Sequence, residues 1–338
     1  MGNNSRSTEA YCYTAAVAAV LLLAAGACSE EQTTPTQLSA SFSHLDDPPN
    51  PLVPIQDPIP GHIENGRIQL ELETLAEGNG LTAPNWGTFA PGQPDVLYVV
   101  DQDGPLWAID VNTGAKTVCL NTRPFLVPLG AFGPGTFDER GFLGAAFHPQ
   151  FATNGLVYTY TSELPGDPFG QPNHRSVIRE WRIPNPAASP LSLGRTNNDQ
   201  GPGVCGAVMV REVYTFVQPQ INHNGGAIFF GTRPDDRNLL YITSGDGGCA
   251  DDQNLQMGLQ GEPACIGHGA GSETTAPNRF GNGQSLDTPL GKILRINPLL
   301  TAQTFTSADI YAFGFRNPFR ASSDRVDLGG TGEIWTAD

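Results

Sequence analysis

The stretch DVLYVVDQDG (95–104) recurs in outline three more times along the chain. The copies read GLVYTYTSE (155–163), NLLYITSGDGG (238–248) and GEIWTAD (332–338). Each sets β-branched and apolar residues around one aromatic anchor, Tyr98, Tyr158, Tyr241 and Trp335 in turn, which is the composition of a strand that fits a buried pleated surface. Gly or Asp turn signals precede most copies. Between residues 65 and 338 no amphipathic helical pattern runs longer than about two turns before Gly or Pro interrupts it.

The spacing of the anchors decides the architecture. They are unevenly separated, which excludes a solenoid of fixed period. A β-propeller fits, because each blade needs one such strand while its loops vary freely; a β-sandwich would show turn signals every eight to twelve residues or so. The expectation is therefore an all-β propeller. A propeller must close first blade on last, and the fourth copy of the pattern runs into Asp338, so an incomplete ring with about four blades present is expected.

Composition agrees. The 338 residues include 40 Gly and 29 Pro, too many backbone breakers for a helical bundle. The formal net charge of −16 argues against a nucleic-acid partner, whose phosphates need a basic footprint.

The N-terminal part reads as an address and a spacer. Residues 14–27, TAAVAAVLLLAAGA, form an apolar run too short to span a bilayer and ending in small residues, so 1–27 is expected to be a signal peptide. Ala25-Gly26-Ala27-Cys28 resembles a bacterial lipoprotein cleavage box, with Ala where Leu is usual, which makes Cys28 the expected lipidation site. The protein is thus expected to be exported, periplasmic or extracellular, and held at a bacterial membrane only through that lipid. Residues 28–66, rich in Pro, Ser, Thr and acids, read as a disordered tether, and 67–338 as the partial propeller. Four cysteines remain in the mature domain, Cys119, Cys205, Cys249 and Cys265. In an exported chain they suggest two disulfides with three possible connectivities, Cys249 and Cys265 being nearest in sequence; no C-x-x-C spacing supports zinc.

Five segments in order, GFLGAAFHPQF (141–151), HNGGAIFFG (223–231), LYITSGDGG (240–248), PLGKILRINP (289–298) and IYAFGFRNPFR (310–320), resemble the glucose/sorbosone dehydrogenase family, the soluble sugar dehydrogenases that use pyrroloquinoline quinone (PQQ). The resemblance covers roughly residues 70 to 338. It implies a six-bladed propeller that oxidises an aldose or related sugar at the anomeric hydroxyl, passing hydride to PQQ beside a calcium ion and then electrons to an external acceptor. By motif it implies His223 as the proton-accepting base, Asp246 as the acid that orients it, Arg295 as the PQQ-binding arginine, and Glu139 and Asp251 beside the sugar. An imidazole suits the first role because it titrates near neutral pH. His148 is expected to be structural, and Arg316 and Asn317 fit either of two readings, channel lining or a plain turn.

Asn222 stands where some members carry an acid, and Asp251 falls near a sugar-contacting glutamine of others, so glucose itself is not implied. The same resemblance puts the catalytic calcium site and further PQQ-binding cations beyond residue 338, so the chain to that point is not expected to hold PQQ productively. Separately, Asp246, Asp251, Asp252 and Asn254 crowd oxygen donors onto one Gly-rich loop, a weaker candidate for a structural calcium. The resemblance also extends to the propeller of hedgehog-interacting-protein-like proteins. That leaves an alternative, a non-enzymatic extracellular module that binds glycan or protein. A calcium-dependent lactonase would need a channel lined by acids and amides, a constellation the sequence does not display.

Overall fold

The computed structural model describes residues 71–130, 133–165, 173–194, 201–248, 281–300 and 304–338. The expected signal peptide and tether, Cys28, Cys249, Cys265, Asp251, Asp252 and Asn254 lie outside the described residues.

Strands form where the β-branched and aromatic runs predict them, and they assemble into successive antiparallel meanders. The first sheet is β1 (Pro84–Phe89), β2 (Val96–Asp101), β3 (Pro105–Asp110) and β4 (Lys116–Asn121). The second is β5 (Phe142–Phe147), β6 (Leu156–Glu163), β7 (His174–Arg182) and β8 (Val208–Gln218). The third is β9 (Ile228–Phe230), β10 (Leu240–Ser244), β11 (Lys292–Ile296) and β12 (Ile310–Phe313). A two-stranded sheet, β13 (Arg320–Ser323) with β14 (Ile334–Ala337), follows.

The first strands of successive sheets pack on one another, β1 on β5, β5 on β9 and β9 on β13. That is the arrangement of propeller blades around a common axis, each blade's first strand innermost. Three four-stranded blades and a two-stranded half blade are therefore present among the described residues, a propeller arrangement as expected. The inner strands approach closely: a Cβ on Gly144 of β5 would lie 2.4 Å from the carbonyl oxygen of Gly226, just before β9. Side chains stitch the same seam, Asn85 Nδ2 donating to the Phe142 carbonyl at 2.9 Å and Trp86 Nε1 to that of Ala145 at 3.1 Å.

The core is divided between the blades. Tyr98, Val100 and Leu106 pack with Phe142, Phe147 and Trp181 between blades one and two, while Tyr158, Tyr160 and Phe216 pack with Ile228, Ile242 and Leu294 between blades two and three. Burial of each such side chain contributes roughly 1.5–3 kcal/mol. Three of the four repeated aromatics are wholly buried, and each hydroxyl has a partner: Tyr98 donates to Gln93, Tyr158 to Glu180 and Tyr241 to Asp236. Burial pushes all three phenols above their ordinary range.

Cys119 on β4 is disulfide-bonded to Cys205, in the segment that leads into β8. The backbone beside it pairs as well, with Val204 N donating to Val118 O at 2.8 Å and Cys205 N to Cys119 O at 3.1 Å. The outer edge of blade one is thereby covered and covalently fastened, which removes an exposed pairing edge.

Candidate functional site

The loops that enter and leave β9 and β10 build the site. His223 lies just ahead of β9, and Asp246 just beyond β10. Their side chains are almost fully buried, and His223 Nδ1 lies 2.7 Å from Asp246 Oδ1. A carboxylate only accepts, so the shared proton sits on Nδ1 and leaves the Nε2 lone pair free to act as a base. Nε2 has no hydrogen-bond partner among the described residues.

Each member of the pair is held by its neighbours. Asp246 Oδ1 also accepts the Gly248 N–H at 3.0 Å, the Asp246 N–H donates to the Arg316 carbonyl at 2.8 Å, and the Asp246 carbonyl accepts Asn282 Nδ2 at 2.7 Å. His223 adopts a φ of +55°, the left-handed region. For a non-glycine residue that conformation costs about 1–2 kcal/mol and persists only where the surroundings impose it. Gly245 is required by close approach, since a Cβ there would lie 2.0 Å from the His223 carbonyl oxygen.

Beneath the pair, Lys292 at the start of β11 is fully buried without a carboxylate. Its Nζ donates to the carbonyls of Asn282, Gly283 and Leu290 at 2.7, 3.1 and 2.6 Å. The three donors of the ammonium thus fix the turn that carries Asn282 under Asp246. Burial lowers the Lys292 pKa to about 8.

Glu139 is brought to the pair, but through the backbone: its Oε2 accepts the His223 N–H at 2.6 Å and Asn317 Nδ2 at 3.2 Å. Arg295 is not brought there. It pairs with Tyr241 across β10 and β11, whereas Lys292 pairs with Ser244 at the end nearest Asp246. Three residues of strand therefore carry Arg295 roughly 10 Å away along the sheet, where its guanidinium lies 5.1 Å from the Tyr311 ring centroid. The arginine beside the pair is Arg316, exposed and joined to Asp246 through its own carbonyl. His148 makes structural bonds: its Nδ1 accepts from Gln150 N at 3.0 Å and Asn154 Nδ2 at 2.9 Å, and burial lowers its pKa. Of the four candidate calcium ligands only Asp246 is described. Among the described residues no group of three or more His, Cys, Asp or Glu is placed to hold a metal ion.

Lys292, Asn282 and the bridging role of Asn317 escaped sequence reasoning. For Lys292 a signal existed, a lysine that opens the strand run KILRI. For Asn317 it was the RNP turn, and for Asn282 none stands out.

No family model matches the chain. It is similar to the HIPL2 protein of Arabidopsis thaliana, 26% identical over 270 residues, covering 69% of this chain and 35% of that protein. The HIPL1 protein of the same plant is 27% identical over 225 residues, covering 56% and 29%. The chain thus spans about a third of the length of the curated relatives it matches. Among solved structures it is similar to the PQQ-bound aldose sugar dehydrogenase of Streptomyces coelicolor, at 23% identity and a TM-score of 0.44, covering 73% of this chain and 54% of that one. The soluble aldose sugar dehydrogenase of Escherichia coli in its apo form shows 17% identity and a TM-score of 0.46, with 78% and 58% covered. The propeller assignment rests on the sheet topology of this chain itself.

Proposed function

We propose that the protein is a PQQ-dependent dehydrogenase that oxidises an aldose or related sugar at its anomeric hydroxyl. The observation that carries this reading is the buried His223–Asp246 pair with Nδ1 protonated and Nε2 free. In the proposed step Nε2 takes the hydroxyl proton as the C–H bond breaks, and the carboxylate of Asp246 stabilises the imidazolium that results. PQQ, when bound, supplies a quinone that accepts the hydride, and an external electron acceptor reoxidises it. The motif assigns Arg295 to the anionic quinone, whose carboxylates suit a planar guanidinium fork. Calcium beside the quinone belongs to the same proposal; three of the four candidate ligands, Asp251, Asp252 and Asn254, lie outside the described residues.

Export and a lipid anchor at Cys28 belong to the same proposal. Their support is the 14–28 segment and a disulfide that suits an oxidising compartment. Failure of a Cys28→Ser variant to lose labelling by a fatty-acid probe would refute the anchor. The alternative is a non-enzymatic propeller that binds glycan or protein, and the likeness to the HIPL proteins favours it.

One assay separates the readings. In the full-length protein supplied with PQQ and calcium, dye-linked oxidation of aldoses is expected, and His223→Ala is expected to lower it by about 10²–10⁴-fold. An enzyme that keeps most of its rate without His223 refutes the mechanism. Absence of both PQQ binding and sugar oxidation in the wild type selects the binding module.

A further inference from the structure

We propose that Glu139 and Asn317 are positioning residues that hold His223 in its left-handed conformation and so aim its imidazole, and that Glu139 acts on the reaction through that backbone bond. The inference rests on the dehydrogenase reading for its effect on rate, but its geometry stands apart from it.

A residue at φ +55° turns its N–H out of any sheet ladder, so the His223 N–H needs a partner of its own. Glu139 Oε2 supplies it at 2.6 Å, a short bond of the charge-assisted kind. The same oxygen accepts Asn317 Nδ2 at 3.2 Å, and Asn317 Oδ1 accepts the Gly225 N–H at 3.0 Å. One carboxylate oxygen and one amide therefore grip the turn on both sides of Asn224. Asn317 is itself fixed, its N–H donating to Asp338 Oδ1 at 2.6 Å. The preceding residue, Arg316, accepts the Asp246 N–H. His223 and Asp246 thus take their mutual orientation from one turn, Arg316–Asn317, between blade three and the half blade. Glu139 comes from the segment that leads into blade two, so three parts of the chain converge on one imidazole.

A residue that acts by position leaves a different signature from one that grips sugar. Glu139→Ala is expected to lower kcat by about 10²-fold with KM changed by less than about 3-fold, whereas Glu139→Gln, whose amide oxygen still accepts the His223 N–H, is expected to stay within about 5-fold of wild type. Asn317→Ser, which spares the Glu139–His223 bond, is expected to fall between them.

The second readout needs no turnover. In proton NMR the His223 Nδ1–H bonded to Asp246 should give a strongly downfield resonance, assigned by its loss in His223→Gln. It should persist in Glu139→Gln and shift or broaden away in Glu139→Ala. Far-UV circular dichroism and a melting curve establish that each variant is folded; if Glu139→Ala is not, Asn317→Ser carries the test, with a shifted resonance expected. An unchanged resonance in the folded variant overturns the proposal. So does a Glu139→Ala enzyme whose loss is all in KM, or a Glu139→Gln enzyme as impaired as Glu139→Ala. If the wild type oxidises no sugar, the functional reading fails, and the resonance still decides the clamp.

Discussion

Tyr241 of blade three and Trp335 of the half blade stand at the same place in the repeated pattern, on the second strand of their sheets. Tyr241 is 1% exposed, stacks on Phe229 and donates to Asp236. Trp335 is 66% exposed and faces a shallow pocket shared with Trp86 and Arg320. The local sequence is strand-forming in both, and each pairs in register with its first strand. The difference lies in what surrounds them. In blade three, β11 pairs along the far edge of β10 and β12 follows, and blade two packs on one face. Among the described residues β14 has only β13 as a paired neighbour. A strand pattern thus encodes pairing and a face to bury, while burial itself comes from the neighbours.

The sharpest way to break this comparison is to truncate the anchors. Tyr158→Ala, in a complete blade, is expected to cost about 3–5 kcal/mol, because it opens a cavity and takes from the Glu180 carboxylate one of its two partners among the described residues, leaving only Arg211. Trp335→Ala is expected to cost less than about 1 kcal/mol, since most of its surface is already in water. Urea unfolding of the two variants measures both. Equal losses would mean that the half blade is as well buried as its complete neighbours, and the contrast would fall.

The next test concerns how complete blades are joined. The disulfide between Cys119 and Cys205 closes a loop of 86 residues and fastens blade one to the approach of β8. Replacing both cysteines by Ala is expected to cost about 2–5 kcal/mol, read as a lower melting temperature that reductant reproduces in the wild type. The half blade has no such fastening among the described residues, so its local opening, followed by hydrogen exchange along β13 and β14, should hardly respond.

Much of this was legible beforehand. The strands were, because alternating apolar residues around an aromatic specify a pleated face whatever covers it. His223 and Asp246 were legible as a pair, because glycines beside each permit the close approach that brings two loops together. That Lys292 rather than Arg295 lies at the end of β11 nearest the pair was not legible, for a reason that no motif carries: register decides which end of β11 meets the site, and a strand advances about 3.3 Å per residue. The pairing of Cys119 with Cys205 was not legible either, since four cysteines allow three connectivities and only blade packing brings these two together. Glu139 was read as a sugar contact because the pattern shows its position, whereas its bond to a backbone N–H depends on the φ of His223.

A third contrast is electrostatic. Blade three carries the buried ammonium of Lys292, with a pKa lowered by burial to about 8. The unfolded chain holds this proton up to about pH 10.5, and the folded chain releases it from about pH 8. Between those values the unfolded state binds more protons, so stability rises with pH in that window and the contribution is absent below it. Relative to Lys292→Met, wild type is expected to gain up to about 2 kcal/mol from pH 8 to 10.5, measured as the difference between their urea midpoints. A flat difference would show that the three carbonyls fully compensate the buried charge.

The smallest effect belongs to the half blade. Arg325 and Asp327 form an ion pair between β13 and β14 with both side chains largely in solvent, and that pairing holds the Asp327 carboxyl below its usual range. In blade two Arg179 is bonded instead to a buried Glu163, with Glu212 on its other side. Water screens the first pair and entropy opposes holding its long side chains together, whereas removing either partner of the second leaves a charge in the interior. Asp327→Asn is therefore expected to leave the melting temperature unchanged within error at low and high salt. Glu163→Gln should lower it clearly in both. A salt-dependent loss in Asp327→Asn would mean that the exposed pair holds the half blade in place, and the fourth sheet would then be stabilised by charge where the others are stabilised by packing.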